Sequence, residues 1–516
     1  MYRRLKRPPL NRIKQTRPRS SEAELEYLLL TERRHMAQSS FPSVLQWWTN
    51  FEKRLYGDSC DASRADAPAS LVVLYDGYEN VEALWKALLQ CRTPHIQVVW
   101  KSPETGEMRL LAESHVAIPE KLFFLKSLQA SHQRIDVLVA RARRRLEAAG
   151  SPQVFPLVEG EARPAVLSGL TSAWFALRHL GRKVLNQPLK VLVQRGHWVL
   201  AYRRADTAAD APADNATDPN ESRGWITLPG MPTQFHADPF LWRGKNGEYH
   251  LFFESLPYDT NRGTISHMAF DPATQSWQET PRIVLERNYH LSYPFLFEHE
   301  GEIFMIPETC GNRTIEMYRA ASFPTEWVLH KVVMRDIVAA DTTLHFDGKT
   351  WWMFTSVAED GGPNWDELSI FHSDSPFGEW TAHPMNPVVS DVRLARMAGN
   401  LFTDAQNRLI RPAQNCEREY GAALAFREIT ELTPTTYAER TVAVRNPPRG
   451  HQGVHTWNSA GDFTIVDIKT QLRKWSPWRS LTKRARRAAA PAPDPRRQAS
   501  QRVGRRTERA TRAGIH

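Results

Sequence analysis

The chain has 516 residues, 41% hydrophobic and 24% charged, which is enough for two to four domains and too apolar for a disordered chain. Its formal net charge of +10 is unevenly spread: residues 1–20 hold eight Lys/Arg and no acid, and residues 471–516 hold fourteen against Asp494 and Glu508, so the body between the tails is acidic. No recognition motif accompanies the basic runs, so specific nucleic-acid binding is not expected; the tails suit a peripheral membrane or biosynthetic-complex contact. In chain order, residues 1–20 read as a flexible basic tail, and a helix is predicted from Glu22 to about Arg34. Leu71–Tyr75 is an apolar strand ending at the Asp76-Gly77 turn, Val81–Gln90 an amphipathic helix, His95–Trp100 a strand and Leu122–Ala149 a long helix. These form a small α/β domain over 41–149. Residues 150–204 read as a helical connecting region, with a helix over Val166–Leu185, and residues 205–222, rich in Ala, Asp and Pro, as an acidic linker. Residues 470–516 read as a basic, disordered tail.

Cys60, Cys91, Cys310 and Cys416 have no metal-ligand spacing and read as reduced thiols. No apolar run approaches the roughly 20 residues of a membrane span, and the N-terminus lacks a signal-peptide core. A cytoplasmic protein, in contact with membrane at most through its tails, is the expectation.

Residues 225–469 contain an internal repeat. Five segments share a strand, a turn with Gly, Asn or Asp, and a second strand, starting at Asp238, Tyr293, Asp341, Gly399 and His455, which are 55, 48, 58 and 56 residues apart. Hairpins at a period near 50, each interval long enough for four strands, predict a five-bladed β-propeller, so the fold class is mainly β with a smaller α/β N-terminal domain. Blades taper toward the axis. The aligned strand starts, and the return ends Glu254, Glu308, Thr355/Ser356, Gln414 and Asp467, are therefore expected at the central channel. So many polar groups at aligned strand ends are costly to bury unless a ligand or partner satisfies them.

The candidate catalytic residues are Asp238, Asp341 and Glu308, because converging carboxylates push one another's proton affinities apart, as glycosyl chemistry requires. Glu254, Gln414, Tyr293 and the histidines His236, His290 and His455 are candidate sugar contacts. Arg393, Arg396 and Arg411 are candidates for an anionic group on a sugar or nucleotide sugar. The bland alternative for the charged residues is that acids and arginines simply tie blades together. No metal and no cofactor are expected.

The Asp-Pro-Phe at 238–240, with Asp341 opening the third repeat, resembles glycoside hydrolase family 43. That resemblance implies a base role for Asp238 and a tuning role for Asp341. The acidic residue that opens the fourth blade in that family is missing from Ala395-Arg396-Met397-Ala398-Gly399, so Glu308 is the candidate to stand in as acid. The strings HADPFLW, HLSYPFLFE, IPET, DTTLHFDG, NPVVSDVRLARMAGNLF and RPAQNC resemble the N-terminal propeller domain of the plant glucosamine inositolphosphorylceramide transferases and their bacterial relatives. This implies a carbohydrate-active protein of cell-surface polysaccharide or glycolipid synthesis, with a non-catalytic glycan-binding or scaffolding propeller, or a hydrolase, as alternatives. Residues 41–149 resemble the later part of a formyltransferase-like domain. They lack an Asn-x-His motif and a Gly-rich strand-to-helix turn, so no formyl transfer is expected.

Overall fold

Apolar runs between turn signals set the first elements. In the computed structural model, which describes residues 71–118, 121, 123–159, 169–181, 194–204, 224–358 and 362–473, strand β1 is Leu71–Tyr75, helix α1 Val81–Leu89, β2 His95–Lys101 and β3 Met108–His115. Helix α2 (Phe124–Ala149) follows and ends where Gly150, at φ +66°, donates its N–H to Leu146. β4 is Leu157–Val158 and helix α3 Gly169–Gly181. The predicted basic N-terminal tail, the Glu22–Arg34 helix, the 205–222 linker and the C-terminal tail beyond Arg473 lie outside the described residues.

Strands β1 to β4 form an antiparallel sheet in sequence order. Ile135, Leu138, Val139 and Ala142 of α2 share one core with Leu84, Trp85, Leu88, Ile96 and Val98. A second buried line on α2, spaced four and three apart, carries Ser127, Ser131, Arg134, Leu138 and Arg141. The formyltransferase-like reading of this block is not supported. The sheet is antiparallel throughout, and among the described residues it has no parallel strand–helix–strand unit in which a cofactor loop would sit.

The C-terminal region is mainly β, in blade-like antiparallel sheets. After β5 (Gln194–Arg204) and β6 (Ile226–Thr227), the first sheet holds β7 (Gln234–Arg243), β8 (Tyr249–Pro257), β9 (Thr264–Asp271), β10 (Ser276–Trp277) and β11 (Arg282–Leu285). The second holds β12 (Ser292–His299), β13 (Glu302–Glu308), β14 (Thr314–Ser322) and β15 (Glu326–Arg335). The third holds β16 (Ala339–Phe346), β17 (Trp351–Val357), β18 (Glu367–Ser373), β19 (Thr381–Ala382) and β20 (Val389–Ser390). The fourth holds β21 (Phe402–Thr403), β22 (Leu409–Asn415), β23 (Ala423–Leu432) and β24 (Tyr437–Arg445). The fifth runs β25 (Gly453–Ala460), β26 (Phe463–Arg473), β5, β6, so strands from before the first sheet complete the last.

The helical reading of residues 150–204 is corrected at its end. Gln194–Arg204 is a strand, because Leu200 and Tyr202 pack into the core shared with the first sheet while Ala201 packs on the other face with Val454, Val466 and Ile468. The first strands of the sheets meet one another. β7 packs on β12 and β25, and β12 packs on β16. β22 packs on β25, and a hydrogen bond from Gln414 Nε2 to Asp341 Oδ2 at 2.9 Å joins β22 to β16.

Candidate functional site

Four of the five aligned repeat positions share a backbone feature. Asp238, Tyr293, Asp341 and Gly399 all have positive φ, at +51°, +45°, +54° and +136°. In the first three, the ladder shifts register across the residue, between Ala237 and Phe240, Ser292 and Phe295, and Ala340 and Thr343. A bulge of this kind re-aims a side chain, and left-handed backbone at residues other than glycine is strained and persists only where surroundings enforce it. In the fourth repeat the position is Gly because backbone occupies the space. A Cβ there would lie 2.0 Å from the Trp457 carbonyl oxygen. Gly399→Ala is therefore expected to lower stability by about 2 kcal/mol or more in urea unfolding; an unchanged midpoint would contradict this packing.

The re-aimed side chains converge. Asp238 Oδ1 accepts from Thr456 Oγ1 at 2.9 Å and lies 3.2 Å from His455 Nε2, and Oδ2 accepts from the Tyr293 N–H at 3.3 Å. Across the His455 ring, Nδ1 lies 2.8 Å from Asp467 Oδ2. Asp467 also accepts the backbone N–H groups of Asp238, His455 and Thr456. Tyr293 Oη accepts the Gly399 N–H at 2.8 Å and pairs with Thr343 Oγ1 at 2.9 Å. Arg396 spans two acids, donating from Nε and Nη2 to Asp341 at 2.5 and 3.1 Å and from Nη2 to Glu308 at 3.2 Å. Asp238, Tyr293, Asp341, Gln414, His455 and Asp467 are all buried, with Glu254, Glu308 and Arg396 only slightly more open.

Electrostatics separates these acids. Burial pushes Asp238 up, but the charge and hydrogen bond of His455 outweigh it and hold the carboxyl below its usual range. Burial works against the His455 charge, yet Asp467 and Asp238 on its two sides raise it to about 10. Glu254 is driven well above the usual range by burial and by Asp238. Asp341 is raised by burial, against the Arg396 charge and with Glu308 adding to the rise, while Arg396 stays a firmly held cation despite its burial.

Glu254 stands apart in one further respect. Its Oε1 has no hydrogen-bond partner among the described residues, although it is buried. His290 Nε2 lies 3.2 Å away, off hydrogen-bond alignment, and the His290 side chain is 35% exposed. The His290 Nδ1 accepts the Gly263 N–H at 3.0 Å, so Nε2 is the ring nitrogen that faces Glu254. His290 thus stands between solvent and a buried, unsatisfied carboxyl oxygen.

Three predicted contacts are not brought to this cluster. Arg411 is fully buried but pairs with Glu439 at 2.8 Å and donates to the Leu394 and Ala395 carbonyls. Strand alternation places it on the opposite face of β22 from Gln414. Arg393 folds back on Asp391 at 2.7 Å and is 36% exposed. His236 lies just before the bulge and makes its contacts elsewhere. It lies 3.0 Å from Gln234 Nε2 and against the Phe253 ring, and burial lowers it to about 4. Tyr420 belongs to the cluster and had no sequence signal, because it sits in the β22–β23 loop outside the repeat. Its ring lies under the Arg396 guanidinium at 5.2 Å and beside His455 at 5.3 Å.

Asp238, His455 and Asp467 offer ligand atoms within 4.8 Å of one another, a spacing that a metal ion can use. The donor set fits such an ion poorly. Each His455 ring nitrogen faces a carboxylate, and Asp467 is engaged by three backbone N–H groups. The arrangement is that of an imidazolium held between two carboxylates.

Residues 205–476 match the family model described as glucosamine inositolphosphorylceramide transferase 1, N-terminal. The chain belongs to this family. It is 36% identical over 232 residues to glucosamine inositolphosphorylceramide transferase 1 of Oryza sativa subsp. japonica, covering 44% of this chain and 30% of that protein. It is 32% identical over 252 residues to the protein of the same name from Arabidopsis thaliana, covering 46% of this chain and 32% of that one. The chain thus spans about a third of the length of these relatives. Among solved structures, a family 117 glycoside hydrolase of Zobellia galactanivorans aligns at a TM-score of 0.34 and 12% identity, over 53% of this chain and 90% of its own. The GH43_1 enzyme of Xanthomonas citri aligns at 0.31 and 12%, over 42% and 77%. Likeness at that level carries no argument about activity. The glucosamine inositolphosphorylceramide transferase match contains every member of the buried cluster, from Asp238 to Asp467, and begins after the α/β block.

Proposed function

We propose that the five sheets are the blades of a closed five-bladed propeller, and that its hub carries glycosyl transfer or sugar modification in the synthesis of a cell-surface polysaccharide or glycolipid. At the coarser level, the chain is a carbohydrate-active protein by family. The observation that carries the finer reading is the contrast between Asp238 and Glu254, adjacent buried carboxyls whose surroundings push their proton affinities in opposite directions. Such a pair divides the work of a base and an acid. Asp238, ionised and anchored by Thr456 and His455, would take the proton of an incoming hydroxyl. Glu254, with one oxygen still lacking a partner, would hold a proton for the leaving oxygen or donate to a sugar hydroxyl. Arg396, paired with both Asp341 and Glu308, would make those two tuning groups rather than the acid. A sugar or nucleotide sugar would enter beside His290.

The curated relatives are named for glucosamine and an inositolphosphorylceramide, and an amino sugar and a phosphorylated lipid are the first donor and acceptor classes to try. A thermal-shift panel of nucleotide sugars and oligosaccharides identifies the ligand, and turnover of that ligand is then compared with Asp238→Asn. Turnover is expected to fall about 100-fold with binding nearly unchanged. Full turnover in the variant would overturn the base role. Binding of a finished oligosaccharide, with no turnover in the wild type, would favour a glycan-binding propeller.

A further inference from the structure

We propose that the Leu170–Trp174–Leu177 face of α3 docks the protein on an anionic lipid surface. Helix α3 is only partly used by the fold. Phe175 is 1% exposed and meets Phe124 edge-on, with ring centroids 6.5 Å apart, which fastens one side of the helix to α2. The opposite side carries Leu170, Trp174 and Leu177, at 83%, 52% and 71% exposure. Their spacing of four and three residues puts them on one face, about 140° from Phe175 at 100° per residue. Large apolar side chains clustered in the open on one helix face mark an interaction site rather than the scattered exposure of an ordinary surface.

Charge and size decide the partner. From Gly169 to Arg195 the sequence holds Arg178, Arg182, Lys183, Lys190 and Arg195 and no Asp or Glu. The Arg178 guanidinium sits 4.8 Å from the Trp174 ring centre, at the border of the apolar face, where a cation reaches a headgroup while the ring enters the acyl boundary. An apolar face edged by an Arg, in a stretch whose charged residues are all Arg or Lys, has the composition of a helix that lies in a membrane interface. Among the described residues no helix is long and apolar enough to cross a membrane, so lying on the surface is the mode that α3 allows. A stable protein partner would need about 800 Å² on each side, more than three side chains supply.

The test is flotation of the full-length protein with vesicles of phosphatidylcholine, with and without phosphatidylserine, at physiological salt. The wild type is expected to float with the phosphatidylserine vesicles. Leu170→Gln, Trp174→Gln and Leu177→Gln together are expected to cut the bound fraction at least tenfold without changing the melting temperature. Leu170→Gln alone, at the most exposed position, should give an intermediate loss and guards against misfolding of the triple variant. Undiminished binding by both variants would assign membrane contact to the basic tails and overturn the role of α3. Failure of the wild type to bind would overturn it as well. A wild-type dimer that the triple variant makes monomeric, without vesicle binding, would show that a second copy covers the face. None of these readings depends on the hub being catalytic.

Discussion

Replacing Arg134 by methionine is expected to cost about 3–5 kcal/mol of stability in urea unfolding, more at pH 8 than at pH 5. Arg134 is 4% exposed and faces two acids at the start of β18 of the third sheet, with Nη2 at 2.6 Å from Asp366, just before the strand, and Nη1 at 2.7 Å from Glu367. Arg141, two turns along α2, adds a contact of 2.9 Å to Glu367, and the Ala117 N–H donates to Asp366 at 3.1 Å. Two arginines and two acids, nearly dry, therefore join the α/β block to the sheet. Removing one arginine leaves a buried carboxylate with no counter-charge, and that loss, rather than the value of the ion pair itself, sets the size of the effect.

The pH dependence follows from the acids. Burial raises Asp366 to about 6, against the pull of Arg134. A raised carboxyl favours the native state while it is protonated, and that advantage is lost as the pH rises through about 6. Without Arg134 the carboxyl rises further, so at pH 5 the variant carries a neutral acid and at pH 8 an unpaired anion. Glu367 has the opposite sign: burial pushes it up, but Arg134 and Arg141 outweigh this and hold it low, so its contribution is present above the usual carboxylate range and lost on acidification. Adding Asp366→Asn to Arg134→Met should restore much of the loss, because Glu367 keeps its pairing with Arg141. A cost below about 1 kcal/mol for Arg134→Met would mean that water reaches the network.

The docking network also shows which contacts the sequence hides. Arg134 and Arg141 read locally as the charged side of a helix, and their partners lie 232 and 226 residues away, so no local pattern announces them. The repeat is different. Its hairpins are written in adjacent residues, as alternating apolar positions around a turn, and aligning them exposes the positions that later carry positive φ. Asp238, Tyr293 and Asp341 are legible because a bulge repeated in the first three sheets demands the same alignment position each time. Which of several nearby arginines turns inward is not legible in that way. Arg393, Arg396 and Arg411 stand within nineteen residues of one another, and only Arg396 reaches Asp341, because strand alternation and a local Asp391 take the other two. The strand Gln194–Arg204 escaped a sequence reading for a similar reason. Its partner β26 lies at the far end of the chain, and pairing at that separation leaves no mark on neighbouring residues.

His455 supplies the second large expectation: the protein should lose stability, on the order of 5 kcal/mol, as the pH rises from about 6.5 to about 10. The imidazole is 3% exposed, with Asp238 at one nitrogen and Asp467 at the other, and these acids raise it from an ordinary value of 6.5 to about 10. A histidine raised in the native state binds its proton more tightly there than in the unfolded chain. Its contribution is therefore complete below about 6.5 and is lost as the pH climbs through the native value. Loss of that proton strands Asp238 and Asp467 as neighbouring buried anions around a neutral ring, which is the physical source of the penalty. Melting temperatures measured across this window should fall for the wild type. His455→Gln should be less stable at pH 6 yet show a nearly flat profile, since its amide keeps a hydrogen bond but carries no titrating proton. Asp467→Asn should move the fall to lower pH, because one of the two anions that hold the proton is gone. An unchanged slope in His455→Gln would sink the assignment and place the alkaline loss elsewhere in the molecule. A flattened slope would establish that a buried cation at His455 holds the acidic cluster together.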